Sequence, residues 1–480
     1  MQKNVVLNII YTLSNIIFPM VTFPYITRIL SVHGVGQVYF YQSVANYATM
    51  IASLGISTYG IRAVAKVRND ENKLSKVVQE LVIINLVMTI IVIALIFIMS
   101  LIIPKFRSDY NLLWINCISV VSNVVGMNWL YSGLEQYGYI TKRSILFKGI
   151  SIVLMIIFVH KPGDYIIYAL ITVFSTTGSN ILNLLYSKNL VNFKKSIRYN
   201  FKRHFKPMLI LFASILAVSV YTNLDTIMLG FIRNSTEVGT FTVAVKIKTL
   251  LLSMINAVSA VLLPRLSFYI NEGNLKVYTE ILKKASSGIL TIAIPVSVYF
   301  IFFAKESIEF ISGKGYDAAI LPMQIIMPIL IISGFSNVVG NQVLIPNNME
   351  RYFMYAVIAG SIMDFLFNIF LMPILGSIGA AIATLIAEFC QMSLQTYFGR
   401  RFLKSNIDIK QIIRIMYISV IAIIIDKEIM IVYFNNYNSM FVLVISGIIF
   451  ITMILIMVFF IKDKIIYPLV KGKILERINK

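Results

Sequence analysis

The stretch from residue 242 to residue 256 carries a lysine inside an apolar run and could bind an anion. Its polar residues are spaced by 4, 3, 4 and 3 positions: Thr242, Lys246, Thr249, Ser253 and Asn256. On an α-helix, this spacing places the five side chains on one face. Because a polar face against lipid is costly, we expect it to meet protein or a water-filled cavity. The ammonium group would offer phosphate oxygens a compact positive charge and three donors.

Lys246 also has a structural interpretation, in which it pairs with Asp225 and binds no ligand. Lys248 lies on the other side of the same helix, among apolar residues. A lysine in that position extends its ammonium group to the membrane interface. We therefore expect Lys246, and not Lys248, to serve a cavity.

The first apolar run contains Pro19 and Pro24 and is closed by Arg28. From its position alone, Arg28 could be an anchor at the membrane interface. The two prolines remove backbone donors and clash with the preceding turn, so they should bend the helix. A bend suits a helix that changes shape during transport, although a static kink is the other interpretation.

Three carboxylates lie deep in apolar runs: Asp225, Asp364 and Glu388. Burial disfavours the charged form of a carboxylate, so protonation could be coupled to conformation. Proton or sodium (H+ or Na+) coupling is one hypothesis, and structural pairing with Lys246 or Lys148 is the other. The histidines lie in loops or at the ends of runs and show no metal-ligand spacing, so we expect neither a metal nor an organic cofactor.

The composition is that of a membrane protein, with 58% hydrophobic and only 13% charged residues in 480. Runs without Asp, Glu, Lys or Arg are long enough to cross a bilayer of about 30 Å, and backbone groups in lipid must pair within helices. We predict an all-α polytopic protein with about fourteen spans: 5–27, 37–59, 80–103, 111–133, 144–160, 165–187, 207–231, 238–262, 285–304, 320–343, 352–373, 377–398, 409–425 and 439–461.

The basic residues indicate the orientation of these spans and argue against nucleic acid as a partner. The net charge is +21, but the charge lies in short loops. With the N-terminus in the cytoplasm, 31 of the 42 Lys and Arg residues fall on the cytoplasmic side and 8 on the other. Positive loops stay inside, so we expect both termini in the cytoplasm. The loops at 188–206 and 264–284 should be the longest.

The chain contains an internal repeat. The sequence VGQVYFYQSV at 35–44 matches VGTFTVAVKI at 238–247, at an offset of 203, which also places Asn46 on Thr249. The sequence SNVVG at 122–126 recurs at 336–340, at an offset of 214. Six spans separate the matched positions, so both copies face the same way. We predict four segments: an N-lobe at 1–206, a C-lobe at 207–398, two extra helices at 399–461 and a basic tail at 462–480.

Several stretches resemble the Wzx-type polysaccharide flippases of the multidrug/oligosaccharidyl-lipid/polysaccharide exporter superfamily. They are NIIYTLSNIIFPMVTFPYITRIL, HGVGQVYFYQSVANYATMIASLGISTYGIRAVAK, NLDTIMLG, EVGTFTVAVKI and VLLPRLS. The resemblance implies two six-helix lobes in a V around a central cavity. It implies a bacterial cytoplasmic membrane protein that moves undecaprenyl-pyrophosphate-linked oligosaccharide outward by alternating access. The implied partners are that lipid-linked sugar, membrane lipids, a polysaccharide polymerase and glycosyltransferases.

If the protein is such a flippase, the candidate residues named above fall into two roles. The pyrophosphate would bind Lys246 and Arg28, with Asn46, Thr249, Ser253 and Asn256 as further cavity residues. Asp225, Asp364, Glu388, Pro19 and Pro24 would serve ion coupling or gating.

Two other functions compete with this prediction. A cation-coupled multidrug antiporter of the same superfamily would need an acidic or aromatic cavity, against which the two cations argue. A membrane enzyme would need a sizeable loop with catalytic carboxylates or arginines, and the loops are short. The chain has no G-x-x-x-x-G-K-[ST] phosphate loop either.

Overall fold

The computed structural model describes residues 2–194, 199–403, 408–434 and 437–461. The described residues form helices joined by short loops, with no strand among them, so the all-α prediction is confirmed. Nine helices in the described part are long and apolar enough to cross a membrane. The count of fourteen spans stays a prediction, and the basic tail at 462–480 lies outside the described residues.

The chain divides into two compact units, residues 1–239 and 240–480, and the lobe boundaries read from the sequence stay a prediction. The first unit contains α1 (Gln2–Ile29), α2 (Val32–Ser53), α3 (Ile56–Val67), α4 (Glu71–Ile102), α5 (Pro104–Arg107), α6 (Tyr110–Gly126), α7 (Asn128–Gly133), α8 (Tyr137–Phe158), α9 (Tyr165–Ser187) and α10 (Lys202–Ile232). It also contains the start of α11 (Ser235–Asn271), which continues into the second unit.

The second predicted span, 37–59, is two helices. α2 ends before Leu54 and Gly55, which both have positive φ values of 44° and 79°. Such values end a helix and favour glycine because it has no Cβ. Side-chain caps begin other helices, as where Asp70 accepts from the backbone N–H of Lys73 at 3.0 Å. The sequence contains the glycine that ends α2 and the aspartate that caps α4. Its apolar pattern nevertheless continues past the end of α2, so the pattern predicts one span where the structure has two helices.

The core of the first unit lies where α3, α4 and α7 meet. Its buried members include Ile56, Val64, Leu81 and Leu130. Beside it, the start of α10 is attached to α4 through the buried Glu80. The Glu80 carboxylate accepts hydrogen bonds from Arg203 and from the backbone N–H of Asn200, and it pairs with His204 at 2.8 Å.

The second unit contains α12 (Leu275–Phe302), α13 (Ala304–Ser312), a 3-10 turn (Asp317–Ala319), α14 (Ile320–Ile326), α15 (Ile329–Asn337), a π-helix (Val338–Leu344), α16 (Glu350–Leu375), α17 (Ser377–Leu403), α18 (Ile409–Phe434) and α19 (Ser439–Ile461). Most of the long loop expected at 264–284 is helical, because α11 runs to Asn271 and α12 begins at Leu275. The thirteenth predicted span, 409–425, also extends through Asp426 to Phe434.

The last two helices pack on α12 and build a core with it. This core includes Leu290, Ile294 and Ile423, all buried. Tyr299 of α12 lies in the same core and donates a 2.8 Å hydrogen bond to the backbone oxygen of Leu443 in α19. α18 and α19 therefore stabilise the second unit through both apolar burial and a partly buried hydrogen bond.

Candidate functional site

The first unit contains a polar cavity of about 340 Å³ that is open on one side. Six helices contribute to its wall. Its lining is almost wholly amide, hydroxyl and cationic: Tyr11, Asn15, Gln42, Asn46, Thr49, Asn116, Ser119, Asn123, Asn128, Arg143, Ser144, Phe147, Lys148, Thr172, Val173, Ser175, Thr176, Ser179 and Asn180. No carboxylate is present among these lining residues. The wall therefore carries positive charge and many groups that both donate and accept hydrogen bonds.

Helical spacing brings these residues to the cavity. Gln42, Asn46 and Thr49 recur every three or four residues along α2 and so share one face. α6 presents Asn116, Ser119 and Asn123 with the same spacing, and α9 presents a third such row. α6 packs against both α2 and α9, so these polar faces converge.

Arg143 is the most deeply buried cation of the cavity, with 5% of its surface exposed. Its Nη2 donates a 2.9 Å hydrogen bond to Oδ1 of Asn128. Its guanidinium carbon lies 5.8 Å from the centre of the Tyr139 ring. Nε and Nη1 are buried and have no hydrogen-bond partner in the described part of the protein. Arg143 therefore brings a positive charge to the wall, while two of its nitrogens are buried without a hydrogen-bond partner among the described residues.

Asn128 owes its position to a sharp break between two helices. Met127 has a φ of 41°, in the left-handed region, and separates α6 from α7. Asn183 of α9 donates to Oδ1 of Asn128 at 3.2 Å and to the backbone oxygen of Gly126. The acceptor of the Arg143 hydrogen bond is thus held by a second amide.

Lys148 is the other cation of the cavity, one and a half turns further along α8. Its ammonium group donates to Oδ1 of Asn15 at 2.6 Å and to Oγ of Ser14 at 3.0 Å. None of the ion pairs in the described ranges involves Arg143 or Lys148. The charges of both residues are available to an anion, and the structural pairing of Lys148 with a carboxylate is not observed.

The cavity can accept a polar, negatively charged ligand. The amides and hydroxyls suit sugar hydroxyl groups, because both partners donate and accept. The cations suit a carboxylate or phosphate. Among the described residues, no group of three His, Cys, Asp or Glu side chains is placed to hold a metal ion.

Comparison with known protein families identifies this chain at the family level. The family model described as "Polysaccharide biosynthesis protein" matches residues 1–270, which is more than half of the 480 residues. The chain belongs to the polysaccharide biosynthesis protein family. The resemblance read from the sequence is thereby confirmed.

Two bacterial proteins are similar in sequence to this chain. A protein of Escherichia coli (strain K12) described as "Putative O-antigen transporter" is 26% identical over 402 residues, covering 83% of this chain and 97% of the relative. A Shigella dysenteriae protein of the same description is also 26% identical, over 81% of this chain and 97% of the relative.

Solved structures support the fold of this family member. The lipid II flippase MurJ in an inward closed conformation has a TM-score of 0.75 at 15% identity, over 95% of this chain and 98% of that one. An inward-facing multidrug resistance MATE transporter of the MOP superfamily has a TM-score of 0.57 at 16% identity, over 80% and 98%. At these identities the likeness establishes the fold.

Among the predicted residues of the first unit, Asn46 lines the polar cavity. Arg28 lies at the exposed end of α1. Pro19 and Pro24 are half-buried within α1, which is continuous from Gln2 to Ile29. Asp225 is buried in α10. None of these four lines the cavity, and their roles stay predictions.

The remaining predicted residues lie in the second unit. Lys246, Thr249, Ser253 and Asn256 follow one another along α11, where Lys246 is half-buried. The hydroxyl groups of Thr249 and Ser253 donate to the backbone of their own helix. Asn256 accepts a 2.6 Å hydrogen bond from Asn337. Their assignment to a substrate site stays a prediction.

The two predicted carboxylates of the second unit lie on adjacent helices. Asp364 in α16 is 1% exposed and Glu388 in α17 is 7% exposed. Glu388 accepts a 2.7 Å hydrogen bond from the hydroxyl group of Ser333. Burial of both fits the prediction that they lie deep in the protein, and their role in coupling stays a prediction.

Sequence reasoning missed most of the cavity. Arg143 was expected in a cytoplasmic loop before a span at 144–160, but α8 begins at Tyr137 and buries it. The polar rows on α2, α6 and α9 were detectable as residues spaced by three or four positions. No signal in the sequence says that these three faces meet one another and Arg143.

Proposed function

We propose that this protein is a flippase for undecaprenyl-pyrophosphate-linked oligosaccharide, which it moves from the inner to the outer leaflet of the bacterial cytoplasmic membrane for cell-surface polysaccharide synthesis. The polar cavity is the observation that carries this proposal. Its amides and hydroxyls match a sugar, and Arg143 and Lys148 match a negative charge. Membership of the polysaccharide biosynthesis protein family supports a sugar-containing cargo.

The names of the relatives support the same conclusion. Two relatives are described as O-antigen transporters, marked "Putative", and the MurJ structure is described as a lipid II flippase. In our proposal this chain likewise acts by transport and not as an enzyme. Its partners are then the lipid-linked oligosaccharide and membrane lipids, together with the polymerase and glycosyltransferases of the same synthesis.

The proposed mechanism is alternating access, in which the cavity opens first to the cytoplasmic side and then to the outer side. The charged residues of the helices bind the cargo and couple its movement to an ion. Lys246 supplies positive charge for the pyrophosphate, as does Arg28. Movement is coupled to H+ or Na+ through the buried carboxylates Asp225, Asp364 and Glu388. Both termini lie in the cytoplasm, since Lys and Arg are concentrated in the loops of that side.

A cation-coupled multidrug antiporter is the alternative, because MATE transporters share the fold. A cationic cargo would be repelled by Arg143 and Lys148, and no carboxylate lines the described polar cavity to offset them. The charge of the cavity therefore favours an anionic cargo over a cationic drug.

The experiment that tests the function uses cells depleted of this protein. An impermeant sugar-modifying reagent is applied to whole cells and to inverted vesicles to locate the polyprenyl-pyrophosphate glycan. Accumulation on the cytoplasmic face alone supports the flippase. An unchanged distribution together with altered sensitivity to cationic drugs would replace it with the antiporter.

A further inference from the structure

We propose that Asp426 is a proton-binding site, and that α18 and α19 pack on α12 while Asp426 carries its proton. Asp426 lies in α18 of the second unit, so it is separate from the polar cavity and from the three carboxylates proposed for ion coupling. The inference goes beyond the proposed function, because it concerns the last two helices and not the cargo.

Asp426 lies on the face of α18 that packs into an apolar core. Ala422, Ile423 and Met430 of the same helix are buried in the core that α18 forms with α12 and α19. Asp426 comes four residues after Ala422 and four before Met430, so the three side chains share one face. Asp426 is 0% exposed. A carboxyl group is therefore buried within a surface that otherwise packs by apolar contact.

Neither oxygen of the Asp426 carboxyl group has a hydrogen-bond partner among the described residues, and neither is accessible to a water molecule. Tyr299 of α12 is close enough to interact with Asp426 electrostatically. Its hydroxyl group, however, donates to the backbone oxygen of Leu443 at 2.8 Å and lies 2.7 Å from Oγ of Ser446. α19 contributes no charged residue between 439 and 461. The helices packed on α18 therefore leave the carboxyl oxygens without a donor.

The charged residues nearest in the fold are already paired. The ammonium group of Lys427 donates to Oε1 of Glu306 in α13 at 2.8 Å. Glu309, also in α13, accepts a 2.6 Å hydrogen bond from the hydroxyl group of Ser439. None of the ion pairs in the described ranges includes Asp426. Lys427 thus forms its ion pair with a different carboxylate.

A proton is the ligand that this site can hold. An ionised carboxylate only accepts hydrogen bonds, and burying it without donors costs far more than burying the neutral acid. The neutral acid needs an acceptor for its one hydrogen, and helix carbonyl oxygens have a second lone pair to offer. A metal ion needs several oxygen ligands and room between them, whereas the oxygens of Asp426 are closely enclosed.

The proton links the packing of α18 to pH. In the unfolded chain, an aspartate loses its proton above about pH 3.9. With α18 packed, Asp426 keeps its proton at higher pH, so the folded protein binds one proton more than the unfolded chain. The contribution of this site to the free energy of unfolding therefore falls as the pH rises. Separation of α18 from α12 would expose Asp426 to water and release the proton.

The test compares the wild type with Asp426→Asn, which resembles the neutral acid in size and cannot ionise. The unfolding temperature of each purified full-length protein is measured in detergent between about pH 5 and 8. We expect the variant to exceed the wild type by a margin that grows by roughly 2–5 °C per pH unit, until the folded wild type releases its proton. Taking the difference at each pH removes the contributions of other titrating groups.

The opposite sign would overturn the inference. If Asp426 were ionised and stabilised by Lys427, Asp426→Asn would unfold at a lower temperature than the wild type at pH values above the ordinary range of aspartate. Lys427→Gln is the matched background, because Lys427 pairs with Glu306. The same comparison in that background should give the same slope, and loss of the slope would show that Asp426 depends on Lys427 and not on a proton.

Infrared spectroscopy detects the proton directly, since the carbonyl stretch of a carboxylic acid is separate from that of a carboxylate. We expect the spectrum of the wild type at neutral pH to contain a carboxylic-acid band that Asp426→Asn lacks. Asp426→Leu should lose the same band and still fold, because the side chain has no partner to lose. An unchanged band in either folded variant would show that Asp426 is ionised. Both measurements are made without cargo, so their outcome does not depend on the transport function.

Discussion

Lys148 of α8 donates a 2.6 Å hydrogen bond to the side-chain oxygen of Asn15 in α1. The amide holds the ammonium group against the cavity without cancelling its charge. A cation fixed by neutral partners is prepared to bind an anion, because no ion pair has to be broken first.

Lys148→Gln should lower transport by about tenfold while leaving the protein folded, since glutamine removes the charge but keeps a polar side chain with a hydrogen-bond donor. The measurement is export of the lipid-linked glycan in cells complemented with each variant. Lys148→Arg should retain most export. Full export by Lys148→Gln would show that the charge has no part in transport.

Lys246→Glu should abolish export without loss of folded protein, because it reverses the charge proposed to meet the pyrophosphate. Export is assayed in depleted cells, and the amount of folded protein by size-exclusion chromatography in detergent. Lys248→Glu, on the other side of α11, is the matched control and should export. Wild-type export by Lys246→Glu would exclude the proposed role.

Gly36→Ala should destabilise the first unit. A Cβ at Gly36 would lie 1.6 Å from the backbone oxygen of Ser235 and 2.8 Å from the backbone nitrogen of Gly239. Backbone atoms cannot rotate away, so we expect the free energy of unfolding to fall by about 1–3 kcal/mol. The change would be seen as a lower unfolding temperature in detergent.

Gly149→Ala is the control for this prediction, since nothing lies within 4 Å of its Cβ position. It should stabilise α8 by up to about 1 kcal/mol, because alanine has the higher helix propensity. An unfolding temperature of Gly36→Ala at or above that of the wild type would contradict the close approach of α2 and α11.

The stability of the first unit should depend on pH through the protonation of His204. Burial lowers the pKa of His204 below its usual value of 6.5, although the Glu80 carboxylate opposes this effect. His204 lies between Tyr59, Arg203 and Glu80. Between the lowered folded pKa and the unfolded value, the unfolded chain binds more protons. The free energy of unfolding should therefore fall as the pH drops below 6.5.

The measurement is the unfolding temperature between about pH 7.5 and 5.5, across the range where histidine titrates. His204→Gln should show a shallower decrease than the wild type, and His160→Gln, at an exposed residue, should not differ from it. Parallel curves for the wild type and His204→Gln would assign the pH dependence to other groups.

Spacing in the sequence was enough to detect the repeat, and each unit contains one equivalent contact. Asn123 donates to Ser53 at 2.9 Å, and Asn337 donates to Asn256 at 2.6 Å. The offsets of 203 and 214 relate these two pairs. Periodicity also identified the polar row on α11, since residues three or four apart must share a helix face.

The amino-acid sequence by itself determined the membrane class, the helical architecture and which residues share a face. Only the tertiary structure decided that the polar faces of α2, α6 and α9 line a cavity with Arg143 and Lys148. The spacing of residues in the sequence shows which side chains are neighbours on one helix. The cavity, however, is lined by side chains that are as far apart in the sequence as Asn15 and Asn180. Which faces meet depends on packing across the whole unit, and that packing also buried Arg143, which the sequence had placed in a loop.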